Sequence, residues 1–404
     1  MSKLSKYKYY TPDGVADILP GECSVKKRIE AKIRKLFDLN GFMEIESPSL
    51  EFYDVFAAGE GFAPQEGMFK FFDKSGRILV LRYDGTIPAA RIASTVLKDE
   101  TEPLKLSYIG NMFRFNETGG GKQKEFTQAG IEILGPRTSE ADAQAVELAV
   151  EAALAAGIED LQVSIGDVEF YNGMIDEWGL EENTSAQLQK LIDGKETLAI
   201  KDFCRNNGLP EKADKVLALM IYSGGTVEML DDMRRLVSND RSVRALDNLR
   251  QVYDILDDCG ISGYVSLDLG MVQGLNYYTG IIFKGFTYGI GFPVFSGGRY
   301  DNVVGQFGRE MSATGFSLGI NLIMNALRRQ NRLPEDPGIR FLVGYTPAGR
   351  KQAFGFAASK KAEGFRTLTD CTGADANGLL RMAEVKGIAE VWVFDGSENG
   401  TRLK

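Results

Sequence analysis

The sequence predicts an α+β fold with a helical insertion and a small α/β unit at its end. Three observations carry this. Short apolar runs suited to strands recur on both sides of a central stretch. From Tyr171 to Asp258 that stretch turns rich in Leu, Ala, Lys, Glu and Asp, as helices require. After the polar segment NRLPEDPG (331–338), strands and helices alternate to Lys404 as in a βαβαβ unit. These divide the chain into a main body, 1–330, with its insertion at about 171–258, and a small domain, 339–404.

In chain order, 24–40 places Ile29, Ile33, Leu36 and Phe37 on one face at helical spacing, and Asn40-Gly41 stops the helix. FMEIESPSLEFYDVF reads as a strand broken by Pro48, which fits an edge or a bulge. GMFKFF (67–72) and ILVLR (78–82) form a short hairpin around Asp73 to Arg77. Asp84-Gly85-Thr86-Ile87-Pro88 then opens a helix. Tyr108 to Gly135, YIGNMFRFNETGGGKQKEFTQAGIEILG, is strand, glycine-rich loop, strand. Its Arg114, Lys122 and Lys124 suit phosphate or carboxylate, and Gly119 to Gly121 free the backbone to close over an anion; a solvated hairpin tip satisfies the same pattern. An Ala-rich helix follows over 139–156 with Ser139 as N-cap, then the strand LQVSIGDV. After the insertion come the strands YVSLDLG, YTGIIFKGF and GFPVFSGGRYDNVV, and the helix GINLIMNALRRQ closes the body.

Composition narrows function. With 44% hydrophobic and 25% charged residues the chain is of soluble globular type, and no apolar run is long enough to span a bilayer. The N-terminus lacks a signal-peptide pattern, so the cytoplasm is the expected compartment. The four cysteines are dispersed, with no C-x-x-C pair, which suggests neither zinc nor a disulfide framework. A net charge of -9 disfavours polyanion binding by bulk electrostatics, so tRNA is an unexpected partner. The chain has no histidine, which excludes imidazole bases and histidine metal ligands. Neither G-x-G-x-x-G after a strand nor a P-loop occurs. No cofactor or metal is expected.

Four blocks, spanning 10 to 325, together resemble the class II histidyl-tRNA synthetase family. GVADILPGE with the helix and strand up to Pro48 is similar to motif 1, YIGNMFRFNETGGGKQKEFTQAGIEILG to motif 2, QGLNYYTGIIF to the histidine-specific block, and SGGRYDNVVGQFG with TGFSLGINLIM to motif 3. The resemblance implies an antiparallel sheet flanked by helices, and self-association through the motif 1 segment. It places Asp84, Thr86, Gln128 and Glu132 around an amino acid's ammonium, Tyr277, Tyr278 and Tyr300 around an imidazole, and Arg114 on an α-phosphate. On strand alternation alone Glu132 points away from Ile131 and Ile133, where a solvated position is the simplest expectation.

The chain departs from the synthetases where phosphate chemistry is done. Their catalytic arginine falls at Gln273, the motif 3 arginine at Leu322, the motif 2 glutamate at Asn116, and two loop arginines at Lys122 and Lys124. Preorganised charge of this kind contributes roughly 10²–10³ in rate for each group. A working synthetase is therefore not expected. The tail resembles a shortened anticodon-binding domain. The TQAGIE stretch (127–132), the GGGKQKEF loop and the insertion segment IDGKETLAIKDFCRNNGL resemble instead the regulatory subunits of short-form ATP phosphoribosyltransferases. That resemblance implies a non-catalytic partner that activates the phosphoribosyltransferase in the first step of histidine biosynthesis, with histidine as feedback effector in the synthetase-like pocket. Gln273 would face the carboxylate end of that ligand. An active histidyl-tRNA synthetase and a histidine- or tRNA-sensing module remain the alternatives. A chain needed when histidine is scarce also gains from containing none.

Overall fold

A computed structural model describes residues 7–57, 63–115, 123–222, 225–272, 277–397 and 399–404. It forms two compact units, Met1–Asp17 with Lys26–Leu333, and Ile18–Val25 with Pro334–Lys404.

Helix α1 (Pro20–Leu39) buries Ile29, Ile33 and Phe37, all in its part belonging to the larger unit, as its spacing predicts. Strand β1 (Met43–Glu44) and strand β2 (Leu50–Phe52) lie on either side of Pro48, and the short helix α2 (Tyr53–Ala57) follows. Strands β3 (Lys70–Phe72) and β4 (Ile78–Leu81) pair antiparallel as predicted. Their turn is held by the Asp73 carboxylate, which accepts from the amides of Ser75 at 2.8 Å and Arg77 at 2.9 Å. Helix α3 (Thr86–Thr95) leads to the long hairpin of β5 (Leu104–Phe113) and β6 (Glu125–Gly135). The loop residues Asn116 to Lys122 lie outside the described residues.

Helix α4 (Ser139–Ala156) is capped one residue earlier than the sequence suggests. The Thr138 side chain accepts from the Ala141 amide, whereas the Ser139 hydroxyl donates to Asn248 at 2.8 Å. Strand β7 (Leu161–Asp167) enters the insertion, made of α5 (Val168–Trp178), α6 (Glu182–Asp193), α7 (Thr197–Asn206), α8 (Lys212–Met220), α9 (Val227–Leu236) and α10 (Asp240–Asp258). Strands β8 (Val265–Leu267), β9 (Ile281–Thr287) and β10 (Phe295–Arg299) follow. The DNVV residues expected to extend β10 instead form the one-turn helix α11 (Asn302–Gly305). Between it and α12 (Ile320–Arg329) lies β11 (Ser312–Gly319), a strand hidden in the sequence by its small residues.

The main sheet has the order β1-β5-β6-β11-β10-β9-β7-β8. Its two edge pairs, β1 with β5 and β7 with β8, are parallel, and every pair between them is antiparallel. Alternation gives the sheet two unlike faces. On β6, Ala129, Ile131 and Ile133 enter the core, and Phe316 of β11 meets Phe37 of α1 edge-on at 6.1 Å. The opposite face carries Gln128, Gly130 and Glu132 of β6, beside Gly319, Ser317 and Gly315 of β11.

The smaller unit is the expected βαβαβ: β12 (Phe341–Tyr345), α13 (Arg350–Ala362), β13 (Thr367–Thr369), α14 (Ala376–Val385) and β14 (Glu390–Phe394). Its three strands are parallel, and β15 (Thr401–Arg402) adds an antiparallel edge. Leu342, Leu379, Ala383 and Val391 form its core.

Candidate functional site

Glu132 stands at the centre of the site. The solvated position expected from alternation does not occur, because the polar face of the sheet is itself covered and Glu132 is only 1% exposed. Room for its side chain comes from Gly315 across the strand pair. A Cβ there would come within 2.2 Å of Glu132 Oε2 and of the Ile131 carbonyl. Gly130 likewise leaves space for Tyr108, whose hydroxyl a Cβ would approach at 2.4 Å. The Tyr300 hydroxyl donates to Glu132 Oε2, and that of Tyr108 faces Oε1 at 3.4 Å. Thr86 completes the set of hydroxyls on this carboxylate.

Asp84 is the second carboxylate. It sits before α3, where its Oδ1 accepts the Ile87 amide at 3.0 Å. Tyr277 stacks on Tyr300 with ring centres 5.5 Å apart and meets Tyr278 edge-on at 5.0 Å. Buried apolar side chains, Ile87, Leu104, Leu106 and Val303 among them, pack behind these groups. Asp84, Thr86, Glu132, Tyr277, Tyr278 and Tyr300 thus line one cavity of about 200 Å³, together with Tyr83, Arg114 and Ser296.

Arg114 is the one cation among the described lining residues. Its guanidinium lies over the rings of Tyr83 (4.6 Å) and Phe126 (5.1 Å), and its Nε donates to the Tyr83 carbonyl at 3.3 Å.

Burial pushes Glu132 up to about 8, with the nearby Asp84 charge adding to the rise, while the hydroxyls of Tyr300, Thr86 and Tyr108 oppose it. Burial also raises Asp84, against the Ile87 amide and Arg114. Tyr108, Tyr277, Tyr278 and Tyr300 are all raised, first by burial and then by the carboxylates. A cation entering this cavity would stabilise the charged carboxylates, which an ammonium does through charge-assisted hydrogen bonds.

The remaining predicted residues fall elsewhere. Gln128 points, two residues at a time along β6, to the same face as Glu132 but lines a neighbouring cavity of about 180 Å³. That cavity shares Arg114, Ser296 and Ser317 with the first, and its other walls include Phe126, Phe292, Pro293 and Leu322. Leu322 supplies an apolar wall there. Lys124 lines neither cavity. Its ammonium lies over the Phe115 ring at 4.8 Å, and its amide donates to the Gly14 carbonyl. Lys122 and Gln273 lie outside the described residues. Sequence reasoning missed Tyr108 as a site residue. Its signal was pairing: β5 sets Tyr108 opposite Gly130, a tyrosine across from a glycine on the face that bears Glu132.

Among the described residues, no group of three metal-ligating side chains could hold a metal ion, and no helix is long and apolar enough to cross a membrane. The cysteines are free thiols.

Comparison with known proteins agrees with this architecture. Residues 14–323 match the histidyl-tRNA synthetase family. The chain is 48% identical to the ATP phosphoribosyltransferase regulatory subunit of Acetivibrio thermocellus, over 98% of this chain and 95% of that one. It is 43% identical to the protein of the same name from Ruminiclostridium cellulolyticum, over 91% and 87%. Among solved structures, an ATP phosphoribosyltransferase regulatory subunit/histidyl-tRNA synthetase from Bacillus halodurans superimposes with a TM-score of 0.86 at 29% identity, covering 98% of this chain and 100% of that one. The chain belongs to the histidyl-tRNA synthetase family, in the branch whose members bear the name ATP phosphoribosyltransferase regulatory subunit.

Proposed function

We propose that this chain is a non-catalytic regulatory subunit that assembles with a short-form ATP phosphoribosyltransferase and activates it in the first step of histidine biosynthesis. Free histidine is its feedback ligand, held in the Glu132 cavity. The assembly part rests on the relatives that bear this name. One observation carries the ligand part: two buried carboxylates and four tyrosines face one cavity, with Arg114 at its edge. At about 200 Å³ the cavity lies below the roughly 300–1,000 Å³ of drug-sized sites, which favours a ligand of amino-acid size. Glu132, Asp84 and Thr86 would take the ammonium, and Tyr277, Tyr278 and Tyr300 the imidazole. The small unit is a relative of an anticodon-binding domain, and the motif 1-like segment mediates self-association.

Arg114 beside Asp84 is also what a second reading requires, that of an active histidyl-tRNA synthetase. Two measurements separate them. Co-expression with the host's short phosphoribosyltransferase should give a joint complex, with phosphoribosyl transfer raised by this chain and lowered again by histidine. Histidine-dependent exchange of pyrophosphate into ATP should be absent. Clear exchange, with no effect on the transferase, would establish the synthetase reading instead.

A further inference from the structure

We propose that Arg299 is a positioning residue of the ligand pocket, acting from behind it on the three chain segments that carry Glu132, Tyr300 and Tyr278. The proposal rests on the reading of that pocket as a histidine site and concerns how the site is held in shape.

Arg299 does not line the Glu132 cavity. It is buried as the last residue of β10, and Tyr300, which follows it and continues the pairing through its amide to the Ala313 carbonyl, points to the opposite face. Its guanidinium reaches three places at once. Nε donates to Asp142 Oδ2 at 3.1 Å, and Nη2 pairs with Asp142 Oδ1 at 3.0 Å. Nη1 donates to Asp301 Oδ1 at 3.1 Å and to the Pro136 carbonyl at 3.2 Å, and Nη2 to the Thr138 carbonyl at 3.3 Å. Pro136 and Thr138 belong to the chain leaving β6, the strand of Glu132.

Asp301 extends the tie. Its Oδ1 also accepts the Ala313 amide at 3.0 Å, and its own amide donates to Thr279 Oγ1 at 2.9 Å. The Thr279 amide in turn donates to the Arg299 carbonyl at 2.7 Å, and Thr279 directly follows Tyr277 and Tyr278. Tyr300 itself is pinned through its amide to the Ala313 carbonyl at 2.8 Å. The segments 277–280 and 299–301 thus present tyrosines to the ligand cavity and polar groups to the space behind it, a cavity of about 320 Å³ that Asp167, Arg241 and Asn248 also line.

A planar fork with donors fixed in direction can hold three segments in register, which an ammonium on a flexible stem cannot do. Arg299→Lys therefore keeps the charge beside Asp142 but releases the carbonyls of Pro136 and Thr138. A salt bridge that only stabilised the fold would lose melting temperature in this variant and leave the pocket unchanged.

Two measurements decide the matter. The first is a double-mutant cycle on histidine affinity by calorimetry. Arg299→Lys should weaken binding about tenfold in the parent protein and by no more than about threefold in a Tyr300→Phe background, because the two act through one hydroxyl. Equal losses in both backgrounds, or none in the parent, would overturn the proposal. The second needs no histidine. Carbon-13 NMR of glutamate-labelled protein, with Glu132 assigned through Glu132→Gln, should show the Glu132 titration move to higher pH in Arg299→Lys, as the Tyr300 hydroxyl that holds it down is no longer kept in place. Asp84, Arg114, Tyr108, Tyr277, Tyr278 and Tyr300 also face this carboxylate and are retained. An unchanged titration would count against positioning. If the parent protein gives no histidine heat, the ligand reading fails and the titration alone decides this one. Should Arg299→Lys not fold, Asp301→Ala removes the oxygen that accepts from the Ala313 amide and from Arg299, and is held to the same two results.

Discussion

The cavity around Glu132 and its neighbour beside Leu322 share Arg114, Ser296 and Ser317, yet their walls can do different things. The first converges two buried carboxylates and a ring of tyrosines on a space of amino-acid size. The second has Phe126, Phe292, Pro293 and Leu322 for walls, and Arg114 is the one cation among its described lining residues. A polyphosphate needs several preorganised cations or amides around it. An amino acid's ammonium needs carboxylates freed from water. The difference teaches that the two halves of a synthetase-like site are physically separable, and that the half with the converging carboxylates is the one suited to the amino acid of the proposed function.

The sharpest way to break the comparison is to remove Glu132. Glu132→Ala should weaken histidine by two to three orders of magnitude, since truncating one partner of a buried charge pair costs about 2–5 kcal/mol. Calorimetry that finds the affinity unchanged would take the ligand out of this cavity.

A second prediction concerns what burying Glu132 costs. Burial raises Glu132 from 4.5 to about 8, so the folded state holds its proton more tightly than the unfolded chain. That contribution to stability is fully present below the unfolded value and is lost as pH rises through about 8. Glu132→Gln, which is neutral throughout, should match the parent near pH 4 and exceed it by roughly 5 kcal/mol near pH 9. Urea denaturation at the two pH values checks this, and a parent protein as stable as the variant at high pH would refute the burial argument.

How far the sequence went toward this site follows from what each element shows on its surface. The β5–β6 hairpin, α3 and the terminal βαβαβ unit were legible because their apolar periods are clean and their ends carry turn chemistry. Strand β11 was not. Its Ser312, Gly315, Ser317 and Gly319 show no apolar period, yet Gly315 is what lets a central strand pass beneath a buried glutamate. The cap of α4 moved to Thr138 because Ser139 is drawn to Asn248 in the insertion, a partner 109 positions away. Asp84, Thr86, Glu132 and the three tyrosines came together through family resemblance rather than local pattern. Lys124 shows the limit of reading charge alone, since a lysine beside a glycine loop suited an anion but rests on Phe115.

The smallest effect sharpens the comparison from the other side. Leu322→Arg places a guanidinium where the synthetases carry one, on a wall that also bears Asn321. Asn321 is already engaged, its Oδ1 accepting the Thr127 amide at 2.8 Å and its Nδ2 donating to Gln123 at 3.2 Å, so it would not pair with the new cation. The added charge should improve ATP affinity about tenfold, the scale of one favourable charge-assisted contact of roughly 1.5 kcal/mol. Pyrophosphate exchange should stay absent, because on the family resemblance Gln273 still replaces the catalytic arginine, and groups of one catalytic constellation do not act singly. Titration calorimetry with ATP checks the first half and the exchange assay the second. Exchange restored by this one substitution would mean that the second cavity had kept everything but a single charge, and the contrast between the two cavities would reduce to residue 322.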